Sequence, residues 1–198
     1  CSSWYLLRYA DPQNSKQAWD PELVNYWAPV DYYVGGDHAV AHLLYIRFWT
    51  HVFRDLGLTN FAEPVKKLLY HGYINAEDGS KMSKSKGNTI DPLEVIDQGY
   101  GADSLRTYEM FIAPYEVDAS WDSRGIAGVY RFLNRVWVLI QEFIESDKSA
   151  ENLSNFAEVQ KIHHKTIKKV TEDFHRESLN TAVAALMEFV NDLYKKQL

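Results

Sequence analysis

The sequence has a single cysteine, Cys1, among its 198 residues. No intrachain disulfide can form, and no cysteine-based zinc site is possible. Such a chain fits a reducing compartment. No apolar run approaches the ~20 residues that a membrane-spanning helix needs, and no secretory leader pattern is visible. Basic residues are outnumbered: 21 Lys and Arg stand against 27 Asp and Glu, a net charge of −6. That balance argues against non-specific coating of nucleic acid but leaves room for a local basic site. There is no internal repeat and no low-complexity tract. The composition, 46% hydrophobic and 24% charged, is that of an ordinary globular chain of one or two domains.

The apolar run at 4–9 reads as a short buried strand, and Asp11 to Ser15 as a turn. Asp20-Pro21-Glu22 starts a helix, with Asp20 capping and Pro21 at the first helical position; it ends before Pro29. Residues 30–34 form a second strand, closed by Gly35-Gly36. A helix then spans about 37–56, with Val40, Leu43, Leu44, Phe48 and Val52 at helical spacing. Residues 67–73 make a third strand. A strand, a glycine turn, a helix and a strand predict a parallel α/β unit. Further on, Asp91-Pro92-Leu93-Glu94 is a capping box for a helix ending near Gly99. Asp103 is expected to cap the next helix, which reaches Ala113-Pro114. From Trp121 onward only helical periodicity is seen, and helices are expected at about 123–145, 155–175 and 178–198. Trp121, Tyr130, Phe132 and Trp137 are expected in the bundle core, with Lys161, Lys165, Lys168 and Lys169 on a solvated face. The chain opens straight into an apolar run and closes inside a helical pattern, so an internal piece of a longer protein is the expectation.

Two segments carry chemistry. The first is Lys81-Met82-Ser83-Lys84-Ser85-Lys86-Gly87-Asn88. Nothing in it can build a core, so it reads as an exposed loop. Three lysines at alternate positions make a counter-charge for a polyanion, or else a merely solvated basic loop. The second is Gly35-Gly36-Asp37-His38-Ala39-Val40-Ala41-His42. Paired glycines at a strand end let a ligand approach the backbone, and the following helix points its free N–H groups at that ligand. His38 and His42 are four apart and share a helix face. A zinc site is not expected, because Ala39 stands where a His-Glu-x-x-His site needs its glutamate and no third ligand is evident; the pair reads as hydrogen-bonding a ligand, or else as one core and one surface histidine.

Lys81 to Ser85 resembles the ATP-closing loop of the class I aminoacyl-tRNA synthetases. Gly35 to Tyr45, with Arg47-Phe48 after it, is similar to the turn and helix of the leucyl-tRNA synthetase family. So are the strand-like opening Ser2 to Tyr9, Gly101 to Arg106, Phe132 to Trp137, Thr166 to Asp173, and Asn180-Thr181-Ala182. The resemblance runs along nearly the whole chain in one order. It implies a partial Rossmann-like parallel-sheet nucleotide-binding fold in 1–120, ending the catalytic domain. An all-α helical bundle in 121–198 would begin the anticodon-binding domain. It implies a leucine–tRNA ligase acting through leucyl-adenylate, with Lys81 and Lys84 as catalytic lysines. ATP would be bound by Gly35, Gly36, Asp37, His38, Met82, Ser83 and Ser85, and leucine by Ser2, Tyr5, His38 and His42. ATP with Mg2+, leucine and tRNA(Leu) are the implied ligands, the remaining N-terminal half of the synthetase an implied partner, and the cytoplasm the implied location. The chain departs from the family in three ways. One residue fewer separates the Gly-Gly pair from the first histidine, the stretch from Tyr73 to Lys81 carries no inserted domain, and no His-x-Gly-His signature is found. The 198 residues alone are therefore expected to be inactive. The alternatives are a nucleotidyltransferase with the same loop and a non-catalytic tRNA-binding module.

Overall fold

A computed structural model describes residues 3–35, 41–146 and 156–196. The chain forms two compact units, Cys1–His71 and Gly72–Leu198.

In the first unit the run at 4–9 is not a strand. It is one helical turn, α1 (Tyr5–Arg8), whose N–H groups find carbonyls locally, as in Tyr9 N to Tyr5 O. An apolar run this short carries no period that separates strand from helix; long-range packing decides. The turn drops Leu7 into a core with Trp19 and Val24. It also brings the Arg8 guanidinium to the carbonyls of Pro12, Asn14, Gln17 and Ala18. α2 (Pro21–Trp27) starts as expected, Asp20 Oδ1 accepting from Glu22 N at 2.9 Å, and gives way before Pro29, which has no N–H to continue it.

β1 (Val30–Val34) pairs in parallel with β2 (Val65–Leu69), Val30 opposite Val65 and Val34 opposite Leu69. The link between them, α3 (Ala41–Asp55), makes this a β-α-β unit. β2 starts two residues earlier than expected and ends before Tyr70, because its limits are set by pairing with β1. Leu44 and Phe48, expected on the inner face of α3, are more than 60% exposed; Ile46 and Thr50 are buried instead. Arg47 Nε and Nη2 each donate to Glu63 at 2.7 Å, tying α3 to the approach of β2.

In the second unit β3 (Ile74–Asn75) runs parallel to β4 (Ala119–Ser120). Gly72 permits the adjoining close approach: a Cβ there would meet the Val117 carbonyl carbon at 2.2 Å. α4 (Pro92–Val95) is capped by Asp91, whose Oδ1 accepts from Leu93 N at 2.8 Å. It continues through Ile96–Tyr100 to a kink at Gly99 (φ 92°), where the helix was expected to end, and α5 (Gly101–Phe111) follows. Asp103 is not the cap of α5. It lies within the first turn, where its charge faces the positive helix end.

α6 (Ser123–Glu145), α7 (Phe156–His175) and α8 (Leu179–Lys195) match the expected helices within a few residues. The unit's core gathers Val95, Leu105, Tyr108, Trp121, Ile126 and Val129, with Met82 packed against it. Trp121 is thus in the core as expected, but Trp137 is 66% and Tyr130 39% exposed. The inward face of α6 is the stripe through Ile126, Val129 and Leu133. Lys161, Lys165, Lys168 and Lys169 are exposed as expected. Asp173, at the end of α7, is 1% exposed and accepts from Lys169, Arg176 and Thr181. No helix among the described residues is long and apolar enough to cross a membrane.

Candidate functional site

The loop after β3 is built by its own side chains. Residues Lys84–Lys86 form one 3-10 turn, ended by Gly87 at φ 65°. That left-handed conformation suits a residue with no Cβ. Ser83 and Ser85 hydroxyls stand 3.2 Å apart. Asn88 closes the loop: its Oδ1 accepts from Ser83 N at 2.8 Å, and its Nδ2 donates to Ser80 Oγ at 2.9 Å and Lys81 O at 3.3 Å. Met82 departs from the expectation that nothing in this loop joins a core: it is half-buried against Val95 and Trp121.

The three lysines are not equivalent. The Lys81 ammonium lies 4.4 Å from the centroid of the Tyr73 ring, a cation–π contact. Lys86 lies near Asp78, whose carboxyl is held below its usual range first by hydrogen bonds from Ser80 and then in part by that charge. The Lys84 ammonium has no hydrogen-bond or ion-pair partner among the described residues, and the residue is exposed. A cavity of about 490 Å³ adjoins the loop's far arm, lined in part by Asn88, Thr89, Glu77 and Glu94.

The carboxylates beside the loop are committed. Glu77 Oε1 accepts from Ser123 Oγ at 2.5 Å, and Asp78 Oδ1 from Ser80 N at 2.9 Å. Among the described residues no group of three or more His, Cys, Asp or Glu side chains is placed to hold a metal ion. These residues do not fit a resident magnesium.

In the first unit, Tyr5 and His42 do come together. The Tyr5 hydroxyl is 3.0 Å from His42 Nε2 and 3.1 Å from the Tyr33 hydroxyl. The Tyr5 and His42 rings stack at 5.6 Å, and the Tyr33 ring lies 5.8 Å from that of His42. Burial, and then the hydrogen bond with Tyr33, push the Tyr5 hydroxyl pKa well above its ordinary value. The phenol stays neutral and is available to donate or accept. Tyr33 was not among the expected residues. The period of two along β1 puts Tyr32 and Tyr33 on opposite faces, but only the fold tells which face meets His42. Gly35 is buried, its N–H donating to Leu69 O at 3.1 Å. Ser2, Gly36, Asp37 and His38 lie outside the described residues.

Residues 25–122 match the family described as tRNA synthetases class I (I, L, M and V). The whole fold is similar to a solved structure of the agnB2 LeuRS of Agrobacterium radiobacter K84, a ternary complex with tRNA and LeuAMS. Identity is 38%, the TM-score is 0.87, and the match covers 98% of this chain and 26% of that one. Two structures of Mycobacterium tuberculosis methionyl-tRNA synthetase with methionyl-adenylate share the fold at 17% and 18% identity. Their TM-scores are 0.61 and 0.62, and the match covers 94% and 96% of this chain and 36% and 37% of those. The chain thus spans between about a quarter and just over a third of the length of these relatives. It belongs to the class I tRNA synthetases of the isoleucine, leucine, methionine and valine group. Its small parallel sheets followed by helices correspond to part of the catalytic and anticodon-binding regions of such an enzyme.

Proposed function

We propose that the chain serves a leucine–tRNA ligase: ATP-dependent conversion of leucine to leucyl-adenylate, then transfer to tRNA(Leu). The observation that carries this reading is the exposed, unpaired Lys84 on a loop whose other two lysines are engaged. In the first step a carboxylate attacks the α-phosphorus and pyrophosphate leaves. Negative charge grows on the phosphate oxygens and the departing group. An ammonium brought to that charge lowers the barrier most where charge is greatest, in the transition state. Lys84 is available without breaking a contact; Lys81 must first leave Tyr73. Ser83 and Ser85 offer hydroxyl donors beside it. Magnesium would enter with the nucleotide, held by phosphates and water.

Leucine, rather than the other amino acids of the group, is supported by the 38% identity to LeuRS along 98% of the chain. The Tyr5, Tyr33 and His42 cluster gives one wall of a pocket for it. Ser2, Gly36, Asp37 and His38 belong to the same reading, with Gly35 at the strand end below the ligand. The family match ending at residue 122 supports a boundary near 120 between a catalytic segment and an anticodon-binding one. Because the chain spans 26% of the LeuRS chain, no leucine-dependent pyrophosphate exchange is expected from these 198 residues alone.

The test is calorimetric titration with a non-hydrolysable leucyl-adenylate analogue carrying a polyphosphate-like extension, alongside its methionyl and valyl counterparts. The leucyl compound should bind best. Lys84→Ala should weaken it about tenfold to a hundredfold, the loss of one charge-assisted hydrogen bond of roughly 1.5–3 kcal/mol. Equal binding of all three compounds would remove leucine from the reading. Unchanged binding in the Lys84 variant would remove the loop.

A further inference from the structure

We propose that Asn88 is a positioning residue: its side-chain amide fixes the two arms of the lysine loop and so sets where the Lys84 ammonium stands. This rests on the reading of that loop as the element that meets the triphosphate.

The case begins with valence. A carboxamide has two N–H donors and one carbonyl acceptor, and Asn88 uses them across the loop. Its oxygen takes the Ser83 N–H, and its nitrogen gives to Ser80 Oγ and to the Lys81 carbonyl. All three bonds land within residues 80–83, so the side chain serves the loop and no other element. Serine or threonine is too short to span the arms. Aspartate could accept from Ser83 but has no donor for Ser80 or Lys81.

The bonds also fall where they control Lys84. Ser83 N is held by Asn88, while Ser83 O accepts from Lys86 N at 3.2 Å. Both polar groups of the residue before Lys84 are therefore fixed. Lys84 O accepts from Gly87 N at 3.2 Å, which fixes the residue from the other side. The Lys84 backbone is thus clamped, and only its side chain remains to search. A cation on a clamped backbone loses less freedom on meeting a phosphate than one on a free loop, and that saving appears as affinity. Met82 anchors the near arm in the unit's core; Asn88 ties the far arm to it.

The test uses sodium tripolyphosphate as the probe and the 198-residue chain, unmodified and as Asn88→Ala, Asn88→Asp and Lys84→Ala. Tripolyphosphate affinity is measured by calorimetry, Ser83 amide exchange by NMR, and thermal unfolding on the same samples. Asn88→Ala should weaken tripolyphosphate about tenfold and speed Ser83 exchange at least tenfold, with Tm within about two degrees. Asn88→Asp should keep Ser83 protected yet still lose affinity, because its two donations are gone. Loss of binding in Lys84→Ala with none in Asn88→Ala would overturn the proposal and leave the loop's role intact. No binding by the unmodified chain would overturn the triphosphate reading, and the Asn88 proposal with it.

Discussion

The aromatic cluster of the first unit and the lysine loop of the second are built in opposite ways. Tyr5 meets Tyr33 and His42 across 28 and 37 residues of sequence. Its rings are in contact, and its hydroxyl is shared between two partners. The loop is closed by bonds that reach at most eight residues along the chain. It contains no ring of its own; Lys81 lies against the Tyr73 ring, Lys86 lies near Asp78, and the Lys84 ammonium faces solvent. The difference follows from what each can do. Recognition of an apolar side chain needs a wall of fixed shape, and only tertiary packing supplies one. Delivery of positive charge needs a short exposed turn with a defined backbone, and local hydrogen bonds suffice for that. A site of the first kind depends on its unit being folded; a site of the second kind can keep its shape with little support beyond one anchor.

The largest effect that tests this contrast is expected at Ile126. It is 1% exposed in the core against which Met82 packs. Ile126→Ala removes buried methyl and methylene groups and leaves a cavity, destabilising the second unit by about 2–5 kcal/mol. Amide exchange at Val129 should accelerate in step, while exchange at Leu7 in the first unit stays as it was. Equal acceleration at both positions would show that the two units unfold as one, and the contrast between them would fail.

A smaller effect is expected at Tyr5. Tyr5→Phe keeps the ring stacked on His42 and removes the hydroxyl that both partners share. A hydrogen bond of this kind is worth about 0.5–1.5 kcal/mol net, so urea unfolding of the first unit should shift by that amount. The lysine loop should not respond: Ser83 exchange should match that of the unmodified chain. A shift indistinguishable from zero would mean the cluster is held by ring packing alone.

The same contrast explains what could be read from the sequence. The loop was legible in part: its alternate lysines and polar residues marked an exposed turn, but Met82, which packs on the core, and the left-handed turn at Gly87 came only from the fold. The three long helices were legible because 3.6-residue periodicity over twenty residues is unambiguous. Residues 4–9 were not, since six residues, all but Arg8 apolar or aromatic, fit either period and Leu7 decides the matter by packing on Trp19 and Val24. Tyr33 was missed for a related reason. Tyr32 and Tyr33 alternate on β1, and the pairing of Tyr33 with Leu68 belongs to a partner strand far along the chain. Asp103 was misread as a cap because the chain turns into α5 two residues earlier, at Gly101 (φ 77°), so Asp103 falls inside the first turn. Trp137 was placed inside because it shares a spacing with core residues, though the buried stripe of α6 passes through Ile126 and Val129 instead.

The last effect is read against pH and concerns a third arrangement, intermediate between these two. Asp173 is buried more fully than the half-buried aromatic cluster, but its partners are near in sequence like those of the loop. Lys169 holds its carboxyl down most, then Thr181, and Arg176 adds to them against burial, which acts the other way; the result is a pKa of about 2 against an ordinary 3.8. Because the folded value is depressed, this contribution to stability is complete above about pH 4. It is lost as pH falls from 3.8 toward about 2. Asp173→Asn keeps the shape but not the charge, so it should unfold at a lower temperature than the unmodified chain at pH 7. The gap between the two should hold down to about pH 4 and then close as the pH approaches 2, read by thermal unfolding at intervals of half a pH unit. A gap that stays constant down to pH 2 would mean that the carboxylate charge contributes nothing to joining α7 to α8, and that Thr181 and the Ser178 N–H bond to the Asp173 carbonyl hold the junction by themselves.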